Sequence, residues 1–442
     1  MDQTISIQND KKTVNGWAFF DWANSAYALV ISAAIFPGYY TKNTDEFIDV
    51  FGWNVSNSAL YSYAIAVAYL LIAIASPALS GIADFGGIRK KFMRFFTLIG
   101  ASACIALFWF KGMSTLWVGI LGFIFATAGF AGGLVFYNSY LPVIASSDQY
   151  DKVSAKGFVY GYVGSVILLV INLVIILNPT WFGLPEGPSG SKFAAQISFV
   201  MVGLWWIGFS QIPFKRLPAD NQNVAKTDQL IHEGWQELKN VWNEINHTSN
   251  LKYFLLAFLS YNAGVQTVIF MASIFASKVL MFETSELIIL ILILQIVAAI
   301  GANLFAKLSD RKGNKYALYL MLFCWIVICL GAFFINDKIS FYLLASLVGL
   351  VMGGIQSLSR STYAKLIPSK TKNITSYFSF MDVMDKISVV VGTFAFGFVE
   401  QLTGNIRYSA LFLSVFFVFG MYLLQNVRIK SSIEGRKYVN VR

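Results

Sequence analysis

Apolar residues occupy most of this chain in long runs, and short polar segments separate the runs from one another. Twelve runs are long enough to cross a bilayer, because a hydrocarbon core about 30 Å thick needs roughly 20 residues of apolar helix. We therefore predict an all-α membrane protein with twelve transmembrane helices. The predicted spans are residues 17–40, 58–82, 93–111, 115–142, 156–178, 194–213, 252–276, 285–307, 316–335, 340–366, 375–400 and 407–427.

The polar segment 214–250 is longer than the others, and it divides the spans into two sets of six. Apolar residues recur within it at steps of four and three, which predicts an amphipathic helix on the inner membrane surface. A connector between two six-helix bundles, 1–213 and 251–442, is the favoured interpretation, and a docking site for a regulatory partner is the alternative. The apolar positions are Ile231, Trp235, Leu238, Trp242 and Ile245.

Composition and charge add an orientation to this picture. Hydrophobic residues make up 57% of the chain and charged residues 13%, whereas soluble domains carry about 25% charged residues. With both termini in the cytoplasm, most of the 33 Lys and Arg fall on the cytoplasmic side, as positively charged loops do. The net charge of +10 then faces anionic headgroups, so we expect membrane lipids and no nucleic acid as partners. The exceptions are Lys42, Lys111, Lys192, Lys278, Lys338 and Arg407.

The sequence offers little for catalysis. Both histidines, His232 and His247, lie in the polar segment, and the three cysteines have no metal-ligand spacing. No hydrolase or metalloprotease motif is present, and no nucleotide-binding loop of the G-x-x-x-x-G-K-[ST] type. We expect no metal, no cofactor and no enzymatic activity, so energy for transport would come from a gradient.

Two similar loops follow the second and the eighth spans, GIADFGGIRKK and AKLSDRKGNK. Asp84 of the first loop and Asp310 of the second are 226 positions apart. Pro142 and Pro368, which end the fourth and tenth spans, have the same separation. Two landmarks at one offset indicate that a six-helix unit has been duplicated.

Twelve spans in two halves, each with an acidic-glycine-basic loop, resemble the major facilitator superfamily. The resemblance implies two six-helix bundles that rock about a site at the membrane midplane. We predict a gating role for Asp84, Arg89 and Lys90 in the first loop, because an ion pair there would hold one conformer. Asp310 and Arg311 are the corresponding residues of the second loop. The alternative is that these charges only set the topology.

The first span contains the string DWANSAY, from Asp21 to Tyr27. This string resembles the family of autophagy-related vacuolar amino-acid effluxers and their bacterial relatives. Two further stretches agree with it, SAKGFVYGYVG from Ser154 and GIQSLSRS from Gly354. The resemblance extends nearly from end to end.

The resemblance implies a secondary transporter of a bacterial plasma membrane that moves a neutral amino acid such as leucine, isoleucine or tyrosine outward. It would work by alternating access, as a monomer. One alternative is a proton-driven exporter of another small amphipathic metabolite or drug. A second is a non-transporting receptor on the same fold, although the segment after Val427 leaves little room for a sensing domain.

Asp21 is a charged residue inside the first span, where charge costs about 2.5–3.5 kcal/mol on insertion scales. Asp21, Asn24, Ser25 and Ala28 share one helix face, which should look into the bundle. A site for a substrate amine or a proton is one interpretation. The other is a hydrogen-bond network that holds the first helix to a neighbour.

Arg360 lies in the tenth span, with Gln356 one turn away. A guanidinium group is suited to bind a carboxylate through two parallel hydrogen bonds, as an amino-acid substrate would require. The competing interpretation is an interhelical salt bridge to Asp382, Asp385 or Asp21.

The eleventh span carries Asp382, Asp385 and Lys386. Asp382 and Lys386 stand at i and i+4 and can neutralise each other, which would leave Asp385 without a partner. Burial of a carboxylate favours its protonated form, so Asp385, with Asp382 beside it, is predicted to couple transport to protons. A contact between Asp385 and Arg360 is the alternative.

The resemblance also implies that the first, fourth, seventh and tenth helices line the substrate cavity. Uncharged polar residues on these helices are therefore candidates for substrate contact, although such residues also hold helices together in lipid. The candidates are Asn24, Tyr27, Tyr137, Asn138, Asn262, Gln266 and Gln356.

Overall fold

The computed structural model describes residues 8–50, 52–220, 227–282, 284–369 and 371–429, and most of these residues are helical. Positions 221–226 of the predicted linker and the side chain of Ile231 lie outside the described part. The helices are α1 (Lys11–Lys42), α2 (Asn57–Gly86), α3 (Arg89–Ala106), α4 (Leu116–Ser139), α5 (Tyr150–Leu177), α6 (Pro188–Arg216), α7 (Thr227–His247), α8 (Ser249–Leu280), α9 (Thr284–Lys312), α10 (Asn314–Phe334), α11 (Lys338–Leu366), α12 (Ile374–Thr403) and α13 (Ile406–Gln425). Shorter elements are Leu107–Trp109, Met113–Thr115, Leu141–Ile144 and Pro179–Phe182.

Each of the twelve predicted spans corresponds to one of these helices, with α7 as the linker helix between the two sets. Within the described residues, eleven helices are long and apolar enough to cross a membrane. The twelfth, α12, has 30 residues and carries Asp382, Asp385 and Lys386 near its centre. The all-α membrane fold is confirmed, and α12 carries these three charged residues away from both of its ends.

The helix ends follow from local chemistry. Asp337 accepts a hydrogen bond from the Ser340 N–H at the start of α11, and hydrogen bonds from the Ser340 side chain and then from its N–H lower the pKa of the Asp337 carboxyl. Gly87 and Gly313, with φ of 62° and 86°, form the turns after α2 and α9. These turns lie in the two similar loops, so the loops reverse the chain where their glycines allow it.

The middle of α1 is irregular. Tyr27–Ile35 is π-helical, between an α-helical start at Lys11–Ala26 and an α-helical end at Phe36–Lys42. Pro37, two residues after this segment, cannot donate a backbone hydrogen bond. The hydrogen-bond pattern of α1 changes at Tyr27, the last residue of the DWANSAY string.

The chain divides into two compact units. One consists of Met1–Asp10, Ser139–Val159 and His232–Arg442, and the other of Lys11–Asn138 and Tyr160–Ile231. We call them the C-unit and the N-unit. The first ten residues of α5 belong to the C-unit and the rest of this helix to the N-unit. The sequence-based division into 1–213, 214–250 and 251–442 stays a prediction.

Close helix contacts at glycine hold the N-unit together. Gly129 of α4 lies against the backbone of Gly100 in α3, so that a side chain at Gly129 would collide with α3, whereas one at Gly100 would collide with the Trp206 ring of α6. On α1, the Trp22 ring stacks on Trp205 of α6 with 5.7 Å between centroids. Small residues thus permit close approach, and aromatic rings fill the space beside them.

The C-unit uses the same device between α9 and α11. A Cβ atom on Gly301 would collide with the Leu350 carbonyl, and one on Gly353 with the Ala298 carbonyl. These two helices form the most extensive helix contact in the unit. Since lipid provides no hydrophobic force between helices, this packing is what holds α9 against α11.

The linker helix α7 packs on the C-unit, but the predicted apolar stripe is divided. Leu238 and Ile245 are buried together with Val241, whereas Trp235 and Trp242 are 51% and 46% exposed. The Trp242 ring also contacts Phe380 of α12, with 5.4 Å between centroids. A short antiparallel hairpin, β1 (Phe47–Val50) and β2 (Trp53–Ser56), joins α1 to α2 in the N-unit.

Candidate functional site

The charged residues of α12 form a partly buried network with amide side chains of α8, in which Lys386 is buried and the Asp385 side chain is 28% exposed. The Lys386 ammonium lies 2.9 Å from Asp382 Oδ1 and 2.9 Å from Asp385 Oδ2. The other oxygen of Asp385 accepts from Asn262 Nδ2 at 2.8 Å and from Gln266 Nε2 at 3.2 Å. We call this set of five residues the α8–α12 cluster.

This arrangement corrects one prediction. The i, i+4 spacing of Asp382 and Lys386 does produce an ion pair, but Asp385 does not lack a partner. An ammonium group has three donors, and Lys386 uses them for both carboxylates. Within the cluster, the carboxylate oxygen that has no hydrogen-bond partner among the described residues is instead Oδ2 of Asp382.

Arg360 lies elsewhere in the C-unit and is 4% exposed. Its Nε donates to the Ser154 hydroxyl at 2.9 Å, and its Nη2 donates to the Ser154 carbonyl at 2.7 Å. The guanidinium carbon lies over the Phe158 ring, 4.4 Å from the centroid. Among the described residues, Arg360 of α11 therefore binds the first turns of α5, and the partners of Asp382 and Asp385 are other residues.

A second polar cluster next to Arg360 was missed by sequence reasoning. Asp151, in the first turn of α5, is fully buried and bonds to Lys365 Nζ at 2.7 Å. The same carboxylate accepts from Ser309 Oγ at 2.7 Å and from Asn314 Nδ2 at 2.8 Å. Lys365 also donates to Asn314 Oδ1 at 2.7 Å. We call these four residues the Asp151 cluster.

The Asp151 cluster joins the start of α5 to α9, α10 and α11. Small side chains support it, since Ala155 of α5 packs against Ala302 and Ala306 of α9. A buried carboxylate with three polar contacts is well satisfied, and a buried ion pair of this kind fixes geometry more than it adds stability. The sequence signal was present as an acid at a helix start and a lysine at a helix end, but these residues stand 214 positions apart.

On α1, Asp21 accepts a hydrogen bond from the Tyr137 hydroxyl of α4 at 2.7 Å. Trp17 reinforces this contact, since its ring stacks on Tyr137 with 4.4 Å between centroids and its Nε1 donates to the Tyr137 carbonyl. Tyr27, further along α1, shares a 2.6 Å hydrogen bond with the Thr127 hydroxyl. These contacts correspond to the interpretation in which polar residues hold α1 to α4.

Asn24 differs from its neighbours on α1. It is fully buried, and neither its amide nitrogen nor its amide oxygen has a hydrogen-bond partner among the described residues. A buried amide without partners costs roughly 1–3 kcal/mol. Within the DWANSAY string, both polar atoms of the Asn24 amide and the indole nitrogen of Trp22 are thus polar groups that the described residues leave without partners.

The predicted cavity residues are distributed over both units. Asp21, Asn24, Tyr27, Tyr137 and Asn138 belong to the N-unit, and within it Asp21 and Tyr137 are in contact. The remaining candidates, Asn262, Gln266, Gln356 and Arg360, belong to the C-unit. Asn262 and Gln266 are brought together by Asp385, whereas Gln356 is half-buried one turn from Arg360 on α11.

The first predicted gating loop contains the expected ion pair. Arg89 Nη2 lies 2.9 Å from Asp84 Oδ1, and the Asp84 side chain is fully buried. Lys90 points away from Asp84 and donates to the Leu217 carbonyl at 2.7 Å and to the Phe214 carbonyl at 3.3 Å, at the end of α6. Lys90 therefore caps a helix rather than pairing with the acid.

The second loop repeats this capping. Lys315, at the start of α10, donates to the Gln425 and Val427 carbonyls at the end of α13, at 2.8 and 2.9 Å. Asp310 is half-buried and Arg311 is exposed. In each half a lysine that follows the glycine turn thus binds the last carbonyls of that half's final spanning helix.

Metal binding finds no support in the described part of the chain. No group of three or more His, Cys, Asp or Glu residues there is arranged to hold a metal ion. Cys104, Cys324 and Cys329 are free thiols on separate parts of α3 and α10.

Known protein sequences resemble this chain over nearly its full length. The family described as vacuole effluxer Atg22 like matches residues 9–436. An uncharacterized MFS-type transporter of Bacillus subtilis, YxiO, is 32% identical over 431 residues, which cover 97% of this chain and 98% of that protein. Autophagy-related protein 22 of Kluyveromyces lactis is 26% identical over 418 residues, or 85% of this chain and 80% of that protein.

Solved structures share the fold at low sequence identity. The fucose:proton symporter FucP of E. coli has a TM-score of 0.69 at 15% identity, covering 94% of this chain and 98% of that one. The human organic anion transporter MFSD10 has a TM-score of 0.69 at 13% identity, with 94% and 98% covered. The fold is thus that of the major facilitator transporters.

Proposed function

Because this chain belongs to the family of Atg22-like vacuole effluxers and has the major facilitator fold, we propose that it exports a neutral amino acid by alternating access. The proposed location is the plasma membrane, with both termini in the cytoplasm, since this orientation places most Lys and Arg inside. The protein would act as a monomer and use a proton gradient. The word effluxer in the family description supports the outward direction.

The observation that carries this proposal is the partly buried α8–α12 cluster. Charged residues inside a membrane are expensive and are retained where solutes or protons pass. A neutral amino acid has an ammonium and a carboxylate, so its site needs an acidic group and a basic one. The Asp385 carboxylate is suited to the ammonium, which would donate to the oxygen that Lys386 binds in the described conformation, while Asn262 and Gln266 of α8 hold this carboxylate in place.

Arg360 is suited to the substrate carboxylate. In the described conformation its Nε and Nη2 bind Ser154 of α5. A substrate carboxylate would replace these neutral acceptors with a charged one, which forms shorter and stronger hydrogen bonds with a guanidinium. Binding would thus release the start of α5 from α11.

The Asp151 cluster is proposed as the gate that this release opens. It ties the same end of α5 to α9, α10 and α11 through Lys365, Asn314 and Ser309. Alternating access requires such a contact to exist in one conformer and to separate in the other. The Asp84–Arg89 pair is proposed to play the same role for the loop between α2 and α3.

One observation favours the alternative of a proton-driven exporter of another small amphipathic molecule. Arg360 is stacked on Phe158 and bonded to Ser154, which is also what a purely structural arginine would do. In that case Arg360 would hold α5 in place, and the substrate would need no carboxylate.

Counterflow in proteoliposomes tests the proposal. Vesicles are loaded with unlabelled leucine, isoleucine or tyrosine, and the entry of labelled leucine is followed without any ion gradient. We expect entry with the purified wild type and at least a roughly tenfold lower rate for Arg360→Lys, because losing the second hydrogen bond costs about 1.4 kcal/mol. Arg407→Lys, whose guanidinium binds Phe333 and Asn336 away from this site, serves as the matched control.

Two results would redirect the proposal. Silence with every amino acid, from protein shown to be folded, would overturn the amino-acid proposal. Normal counterflow in Arg360→Lys and Arg360→Ala would show that no carboxylate binds Arg360, and would support the alternative exporter.

A further inference from the structure

We propose that the Asp382 side chain is the proton-binding group of this transporter and that it takes one proton through its Oδ2 atom. The inference rests on the proposed function, in that it names the ion and the atom through which transport is coupled. It departs from the sequence-based expectation, which favoured Asp385. The α8–α12 cluster supplies the argument.

The hydrogen bonds of the cluster leave one oxygen unused. Asp382 Oδ1 and Asp385 Oδ2 both bind Lys386, and Asp385 Oδ1 accepts from Asn262 and Gln266. Asp382 Oδ2 is buried and has no hydrogen-bond partner among the described residues. A buried charged oxygen without a donor is costly, and a proton on Oδ2 turns this acceptor into a neutral hydroxyl.

The net charge of the cluster is the second argument for one proton. Two carboxylates and one ammonium sum to a net charge of −1, and the α8 contribution consists of the neutral amides of Asn262 and Gln266. The charged groups that act on Asp382 are Lys386 and Asp385. Adding a single proton therefore makes the cluster neutral, which is the state a helix inside a membrane favours.

Charged groups on the elements packed against α12 are directed elsewhere. Lys278 of α8 pairs with Glu400, near the end of α12, at 3.0 Å. On α13, Arg407 binds Phe333 and Asn336. Glu244 of the linker helix acts on Tyr377, at the start of α12. The protonation of Asp382 is thus governed within the cluster.

Asp385 is the more fully hydrogen-bonded of the two acids. Its two oxygens receive three hydrogen bonds, one from an ammonium and two from amides. Protonating Asp385 would require at least one of them to be given up. Asp382 takes a proton without losing its single contact to Lys386.

The chemistry of the cluster also distinguishes a proton from a metal cation. A metal ion needs several oxygen ligands at once. Around Asp385 the neighbouring groups are N–H donors from Asn262, Gln266 and Lys386, which point their hydrogens at the oxygens a cation would need. A sodium ion would have to displace all of them, whereas a proton needs one oxygen.

Infrared difference spectroscopy of the purified full-length protein tests the assignment directly. Spectra recorded at low and at neutral pH report the carbonyl band of a protonated carboxylic acid. We expect this band in the wild type, its loss in Asp382→Asn, and its persistence in Asp385→Asn and in the control Asp45→Asn, an exposed residue before the hairpin. Persistence in Asp382→Asn, or loss in Asp385→Asn alone, would overturn the assignment.

Transport provides a second readout in the same vesicles. We expect the ratio of uptake driven by a pH gradient to counterflow to fall at least tenfold in Asp382→Asn. Transport driven by sodium, with no effect of a pH gradient, would overturn the inference. Failure of wild-type counterflow with amino acids would refute the proposed substrate, but the infrared band would still report whether Asp382 binds a proton.

Discussion

At the scale of single residues, Lys386 has the greatest influence on the α8–α12 cluster. It binds two carboxylates at once, whose side chains are 12% and 28% exposed, so its removal would leave two like charges together in a mostly apolar bundle. Breaking a fully buried ion pair by removing one partner costs about 3–5 kcal/mol, and partial exposure lowers this cost. We expect Lys386→Met to lower the thermal unfolding temperature of the detergent-solubilised protein and to abolish counterflow.

The matched control for this substitution is Lys278→Met, because Lys278 lies on the surface and its pair with Glu400 is exposed. Exposed pairs contribute about 0–1 kcal/mol, so its unfolding temperature should stay close to that of the wild type. The double variant Lys386→Met/Asp382→Asn should regain part of the lost stability. Equal unfolding temperatures for the two lysine variants would contradict the shared role of Lys386.

The candidate site could be predicted only in part from the sequence. The i, i+4 rule found the pair between Asp382 and Lys386, because that contact lies within one helix. It could not find Asn262 or Gln266 as partners of Asp385, since these stand more than a hundred positions away. Residue types identified the chemistry, and helix packing decided which groups meet.

At the scale of elements, the start of α5 is the segment whose contacts with α9, α10 and α11 are proposed to separate during transport. Its buried Asp151 depends on Lys365 for charge balance. We expect Lys365→Met to weaken the hold of α9, α10 and α11 on α5, because a buried carboxylate would lose its cation. Hydrogen exchange measured over residues 150–159 should then be faster by an order of magnitude or more, at about 1.4 kcal/mol per factor of ten.

Lys307→Met is the control for this experiment, since Lys307 is exposed on α9. It removes the same charge without touching the Asp151 cluster. Unchanged exchange in Lys365→Met, together with unchanged counterflow, would show that the cluster does not act as a gate. Restored protection in Asp151→Asn/Lys365→Met would attribute the effect to the uncompensated carboxylate.

The contact between α9 and α11 depends on glycine. A side chain at Gly353 would collide with the Ala298 carbonyl, and backbone atoms cannot yield as a flexible side chain can. We expect Gly353→Val to yield little folded protein by size-exclusion chromatography. Gly397→Ala on α12, where no neighbour lies within 4 Å of the added carbon, should fold normally. A well-folded Gly353→Val would mean that the two helices can separate without loss.

At the scale of the whole molecule, the sequence predicted the fold well because lipid restricts the choices. Each apolar run had to be a helix, since backbone groups in a bilayer must be satisfied within the segment. The residues that set helix-to-helix contacts were harder to predict. The helix α7 shows this, because its period predicted an apolar face at the membrane surface but not which residues of that face pack on protein, as Leu238 and Ile245 do while Trp235 is exposed.

The duplicated six-helix unit leads to a prediction about stability. Lys90 and Lys315 make equivalent contacts, each with the last carbonyls of its half's final spanning helix, and they belong to different units. A hydrogen bond from a charged donor is worth about 1.5–3 kcal/mol, and solvent weakens it where it is exposed. We expect Lys90→Met, at a buried lysine, to destabilise the protein by about this amount, and Lys315→Met, whose contacts are partly exposed, to destabilise it less, both measured by urea unfolding in mixed micelles.

The double variant tests whether the two lysines stabilise the protein independently. Substitutions without shared partners add within about 0.3–0.5 kcal/mol, so Lys90→Met/Lys315→Met should lose the sum of the two single effects. Lys91→Met, whose side chain is exposed beside Lys90, controls for the loss of charge. A double variant no less stable than either single one would mean that both lysines act on one shared unfolding step. In that case the two capped helix ends would have to be coupled, and the duplicated units would not unfold as independent parts.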